Sequence, residues 1–160
     1  MPTADNRLTS NVTTERNKTT IQNLLDEVIN TGRLDLCGRY LAPDRVDDQE
    51  YGLPPGAANG HEGFHRVLGP FIEAFPDLHL AIQFMVTDGS KLAAFIETTG
   101  THRGSFMGAS PTGNSFKVHG VDIFEFNEAG LVSHHTGVFN TFGMMLQLGL
   151  IPIPEVQVAA

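Results

Sequence analysis

The chain has no tryptophan, one cysteine and few cations. A single thiol, Cys37, can form neither an internal disulfide nor a thiolate metal cage. Ten Lys and Arg against eighteen Asp and Glu give a net charge of −8. No broad basic face is therefore available for a phosphate backbone, which excludes nucleic acid and anionic membrane surfaces as partners. No stretch approaches the run of about eighteen apolar residues that a membrane span needs. The opening residues lack the basic start and apolar middle of a secretory signal. These absences predict a soluble, cytoplasmic domain. What is present supports a packed core: 160 residues, 41% of them hydrophobic and 18% charged, suit one domain rather than a disordered segment.

Residues 1–12 are polar and without periodicity and read as a flexible N-terminal tail, residues 13–152 as a single domain, and 153–160 as a C-terminal tail. Asn11-Val12-Thr13 and Asn17-Lys18-Thr19 match the glycosylation sequon, read here as chance matches. Ile21, Leu24, Leu25, Val28 and Ile29 form one helical apolar stripe, with Thr13 or Thr14 as its cap and Gly32 at its end. A short helix is expected over 34–41, then a surface loop over Asp44–Asn59. Phe64, Val67, Leu68, Phe71 and Ile72 repeat the helical spacing, with a kink expected at Gly69-Pro70. From Leu78 the period changes to two. Strands are expected over 78–87, 92–101, 115–126 and 131–141, joined by an Asp88-Gly89 hairpin, a glycine-rich loop over 103–114 and a turn at 127–130. A terminal helical turn is expected over 142–148. Helices followed by consecutive antiparallel strands predict an α+β fold in which a curved sheet wraps a helical layer.

Several segments resemble the SnoaL-like polyketide cyclases. They are the run from Asp26 to Asp35, Gly60-His61-Glu62-Gly63-Phe64, Ala74-Phe75-Pro76-Asp77-Leu78, and Gly100-Thr101-His102-Arg103-Gly104. Later come Gly108-Ala109-Ser110-Pro111-Thr112-Gly113, Val121-Asp122-Ile123-Phe124, Asn140-Thr141-Phe142-Gly143 and Leu146-Gln147-Leu148-Gly149. The set spans residues 24–150 in the family's order. The resemblance implies a nuclear transport factor 2-like cone, N-terminal helices packed on a curved antiparallel sheet around one pocket. It further implies a homodimer, no cofactor, and a small hydrophobic substrate such as a polyketide intermediate. Ring-closing members carry a tryptophan in the last strand and, four residues on, an aspartate followed by threonine. Those positions read Thr136 and Asn140 here. Asparagine cannot act as a base near neutral pH, so another residue must supply that function or the chemistry differs.

Seven histidines, four of them in or beside the final strands, are the informative feature, because imidazole titrates near neutral pH. His119 in mid-strand is the first candidate acid or base, and His102 beside the glycine-rich loop the second. Asn140 is expected to orient a carbonyl, and Asp122 to hold an imidazole. Strand alternation sends Asp122 to the face opposite His119 unless a bulge intervenes. His134, Thr136, Val138 and Asn140 share one parity; His135, Gly137 and Phe139 share the other, so only one of His134 and His135 can face a pocket. Phe106, Met107, Phe124, Phe139 and Met144 are the candidate apolar lining. No metal-ligand spacing, phosphate loop or nucleophile elbow occurs. The expected function is a cofactor-independent cyclase or isomerase working by acid–base catalysis. Epoxide opening with ether-ring formation, and a non-catalytic carrier or sensor, are the alternatives.

Overall fold

The computed structural model describes residues 4–49 and 51–152. Helix α1 (Ala4–Asn23) already begins inside the segment expected as a tail; the expected C-terminal tail, 153–160, lies outside the described residues. The helix widens into a π-type turn over Leu24–Ile29, with the Asn30 N–H bonded to the Leu25 carbonyl, and a 3-10 turn follows over Leu34–Arg39. The predicted stripe of Ile21, Leu24, Leu25, Val28 and Ile29 is buried throughout. Asn17, in the second sequon, is also buried and could not meet a glycosylating enzyme in the folded chain.

The segment expected as a loop from Asp44 holds strand β1 (Leu41–Asp47) instead. Pro43 and a run of polar residues concealed it, yet its alternation is complete toward the end: Arg45 and Asp47 point inward and Val46 outward. Helix α2 (Gly60–Ala74) runs unbroken through Pro70. That residue sits on the exposed side, where water can take the carbonyl that a proline leaves unpaired. Gly63 lets the first turn of α2 lie directly on Ala58, because a Cβ there would fall 2.0 Å from the Ala58 carbonyl carbon.

Strands β2 (His79–Asp88), β3 (Lys91–Thr101), β4 (Ser115–Phe126) and β5 (Val132–Phe139) form an antiparallel meander, and α3 (Thr141–Gln147) follows. The curved five-stranded sheet has the order β1-β5-β4-β3-β2, with β1 parallel to β5. A bulge between Ile82 and Phe84 reverses the faces of β2 midway. Leu80 and Ile82 therefore pack inward as expected, whereas Phe84 and Val86 turn out to solvent.

The inner face carries two clusters. Leu92, Ala94, Ile96, Phe124 and Val132 pack on the α1 stripe and Phe64. Phe116 and Val118 pack with Phe75, Phe106, Met144 and Leu148. At about 25 cal/mol per Å² of apolar area, each fully buried Leu, Phe or Met contributes roughly 1.5–3 kcal/mol. The architecture is the α+β cone that the element order predicts.

Candidate active site

The end of β1 sets two charges into the interior. Arg45 Nη1 lies 2.7 Å from Asp47 Oδ2, and both side chains are only 3% exposed. Arg45 Nη2 donates to the Ala58 carbonyl at 3.1 Å, and the guanidinium lies 5.7 Å from the Phe64 ring centre. The Asp47 backbone N–H donates to Asn59 Oδ1 at 2.9 Å, tying β1 to the entry of α2. A buried ion pair must recover its desolvation through extra contacts, and here the guanidinium has a carbonyl and an aromatic face while the Gln49 backbone N–H donates to Asp47 Oδ1 at 3.1 Å.

Because β1 runs parallel to β5, Asp47 stands beside His135. Alternation on β5 sends His135, Gly137 and Phe139 inward. The imidazole lies over Phe124, with ring centres 5.2 Å apart. Its Nδ1 is 3.1 Å from Asp47 Oδ1, off the N–H axis, so the contact is electrostatic more than a linear hydrogen bond. Its Nε2 is 3.5 Å from Asp122 Oδ1. Asp122 pairs across the ladder with Gly137. A Cβ on Gly137 would sit 2.4 Å from Asp122 Oδ1 and 2.9 Å from Gln49 Oε1, so the missing side chain leaves room for both. Tyr51 completes the cluster, its hydroxyl 3.3 Å from Asp47 Oδ2 and 3.2 Å from Gln49 Oε1.

Burial alone would push the His135 imidazolium toward deprotonation. The carboxylates of Asp122 and Asp47 outweigh it and raise its pKa from 6.5 to about 9. Burial would raise the Asp47 carboxyl, but His135 and Arg45 hold it below its ordinary value. Burial, with Asp47 and Asp122 nearby, raises the Tyr51 phenol well above its usual range. Near neutral pH the cluster is thus an imidazolium between two carboxylates, with a protonated phenol beside it. The His135 side chain is 12% exposed, that of Asp47 3% and that of Asp122 27%, so Asp122 is the more exposed of the two carboxylates.

The other sequence-predicted residues are dispersed. Alternation puts His119 on the convex outer face, with no bulge to return it inward. It stacks on Phe95 at 5.1 Å, its Nε2 lies 3.4 Å from Glu97, and its side chain is 45% exposed. With Phe139 and Asn140 it borders an open depression of about 470 Å³. Asn140 caps α3, its Oδ1 accepting the Gly143 N–H at 2.9 Å. His134 faces outward and meets Asp48 at 2.6 Å. Phe106 and Met144 are core residues, and Met107 is exposed. His102 is fully buried in the second cluster, away from His135. Sequence reasoning missed Arg45, Asp47, Gln49 and Tyr51; the alternation of Arg45 and Asp47 about Val46 was the available signal. Among the described residues no group of three or more His, Cys, Asp or Glu side chains is arranged to hold a metal ion.

Comparison with known proteins agrees with this architecture. No curated protein sequence matches the chain. Among solved structures, AclR of Streptomyces galilaeus, named as a candidate hydroxylase, is 28% identical, with a TM-score of 0.74 over 88% of this chain and 99% of AclR. IdmH of Streptomyces antibioticus, named as a candidate polyketide cyclase, is 29% identical, with a TM-score of 0.72 over 83% of this chain and 98% of IdmH. A candidate SnoaL-like polyketide cyclase from Jannaschia sp. CCS1 shares the fold at 21% identity, with a TM-score of 0.75 over 86% and 94% of the two chains. The sequence profile of one family spans residues 19–148, from the last turns of α1 through α3, and so takes in every member of the buried cluster: the chain belongs to the SnoaL-like polyketide cyclases.

Proposed function

We propose that the chain is a cofactor-independent cyclase or isomerase acting on a small hydrophobic, polyketide-like intermediate, with Asp122 as its base. The observation that carries this reading is the His135 imidazolium held between Asp47 and Asp122. Both ring nitrogens already face a carboxylate, so the imidazole is a poor candidate to take a proton itself. Asp122 is the more accessible of the two carboxylate partners. It removes a proton from the carbon beside a substrate carbonyl, leaving an enolate, and then returns that proton to the product oxygen or carbon. The neighbouring positive charge offsets the negative charge that develops, as a preorganised electrostatic site does. His135, Asp47 and Arg45 are positioning residues in this scheme. Asn140, which caps a helix, takes no part in it.

A second reading, epoxide opening, is favoured by one feature: the Tyr51 phenol keeps its proton beside a carboxylate and so offers acid and base in one place. On the convex face, Phe84, Val86, Val121, Ile123 and Val138 are exposed, and a second copy packing there would make the homodimer that the resemblance implies. The test is turnover of aromatic polyketide ketones and of epoxy alcohols by the purified chain. Asp122→Asn should lower turnover by about 10²–10⁴-fold, while His119→Gln leaves it within about twofold. Loss of activity with His119→Gln and not with Asp122→Asn would move the chemistry to the outer face.

A further inference from the structure

The parallel register of β1 and β5 sets two adjacent carboxylates beside two adjacent imidazoles. Asp47 meets His135 inside the fold, and Asp48 meets His134 outside it. The inner pair belongs to the cluster described above, and the outer pair stands apart from it. His134 Nε2 lies 2.6 Å from Asp48 Oδ2, with the two side chains 37% and 62% exposed. Bulk protons reach the outer pair directly, whereas the inner pair is largely shielded.

The joint that these pairs fasten is short. Past a register shift between Leu41 and Val46, β1 is paired at Val46, opposite His134, and at Asp47, opposite His135. The Asp48 N–H then donates to the His135 carbonyl at 2.9 Å. The residues that follow lie over the cluster. The Gln49 N–H is bonded to Asp47, and the Tyr51 hydroxyl contacts both Asp47 and the Gln49 side chain. Gln49 Oε1 and Asp122 Oδ1 lie 2.9 and 2.4 Å from the point that a Cβ on Gly137 would occupy, so Gln49 stands next to the Asp122 carboxylate. Freeing Asp48 from β5 would carry Gln49 and Tyr51 off Asp122.

Two carboxylates face the outer imidazole: Asp48 at the end of β1, and Glu125, its partner across the ladder on β4. Lys91 on β3 is 3.7 Å from Glu125. The contact with Asp48 is an ion pair only while His134 is protonated, and imidazole is the side chain whose charge changes near neutral pH. The inner hook does not follow it, because Asp122 and Asp47 keep His135 charged up to about 9. A change of pH around neutrality therefore acts on the outer hook alone.

We propose that Asp48 and His134 form a proton-operated latch: it holds the end of β1 on β5 while His134 is charged, and loosens Gln49 and Tyr51 from the cluster when that charge is lost. Its meaning for catalysis rests on Asp122 being the base, but the latch itself does not.

Hydrogen exchange of the Asp48 amide reads the opening directly, as a protection factor that already allows for the intrinsic rate at each pH. From pH 5.5 to 8 that protection should fall about 2- to 5-fold, the range an exposed ion pair supplies, while the amides of β3 hold theirs. In His134→Leu it should be low and flat, and in Asp48→Asn flat. In His134→Lys it should stay high to pH 8, because an ammonium keeps its charge there. Tyr40→Phe leaves Tyr51 as the single tyrosine of a chain without tryptophan. In that background, acrylamide should quench Tyr51 fluorescence more strongly once His134→Leu is added. A native Asp48 protection independent of pH, the same fall in His134→Leu, an equal fall in β3, or unchanged Tyr51 quenching would each overturn the proposal. None of these readouts needs turnover, so an inert chain would sink the reading of Asp122 and leave the latch standing.

Discussion

Replacing Asp122 with asparagine keeps the shape of the side chain and deletes one of the two charges that hold His135 protonated. In the native chain the imidazolium is favoured from 6.5 to about 9, which corresponds to about 3 kcal/mol of folding stability. The sign follows from the direction of the shift. The contribution is fully present below about 6.5 and is lost as pH rises through about 9, because above that value folded and unfolded chains both carry a neutral ring. The Asp122 contact at 3.5 Å is one of two that oppose burial. Removing an opposite charge at such range lowers a pKa by about 1–3 units, which would bring His135 to roughly 6–8 and cost about 1.3–2.7 kcal/mol near pH 7. The Cε1–H resonance of His135, followed from pH 5 to 10 in both proteins, reads the shift directly. Urea midpoints at pH 6, 7.5 and 9.5 should fall across that range in the native chain and stay flatter in Asp122→Asn. A native His135 titrating at or below 6.5, or one indifferent to the substitution, would refute the reasoning.

Two further substitutions probe the same cluster from its neighbours. Gly137→Ala should destabilise by about 1–3 kcal/mol and lower the His135 pKa, because the added methyl would meet Asp122 Oδ1 at 2.4 Å and push the carboxylate away; urea denaturation and the same resonance read both effects. Arg45→Met should cost about 3–5 kcal/mol by leaving Asp47 buried without its guanidinium, measured from the denaturation midpoint.

Apolar periodicity made most of the framework legible. The α1 stripe, the hairpin at Asp88-Gly89 and the strands on either side of the glycine-rich loop are where their spacing puts them. Parity also separated His135 from His134 and Asp122 from His119 without coordinates. It could not say which parity faces inward, because that depends on pairing: Asp122 opposite Gly137, and Phe124 opposite His135. It failed at β1 for a different reason. Hydrophobic pattern finds strands by their greasy side, and the inward residues near the end of β1 are Arg45 and Asp47. The bulge at Ile82 was likewise silent, since an extra residue in one strand leaves no mark on the alternation until its partner is known. The central place of His119 in its strand specifies depth along the sheet and not side.

The parallel union of β1 with β5 has a consequence for how the protein matures. Asp47 and His135 are separated by more than half the chain, and the strand that unites them is the last of the sheet. Contacts so distant in sequence close slowly, after local helices and hairpins have formed. A chain still emerging from the ribosome, or one cut before Val132, would carry its acidic groups with no imidazolium to meet them. The cluster would thus be complete only once β5 has paired with β1, the most distant pairing in the sheet.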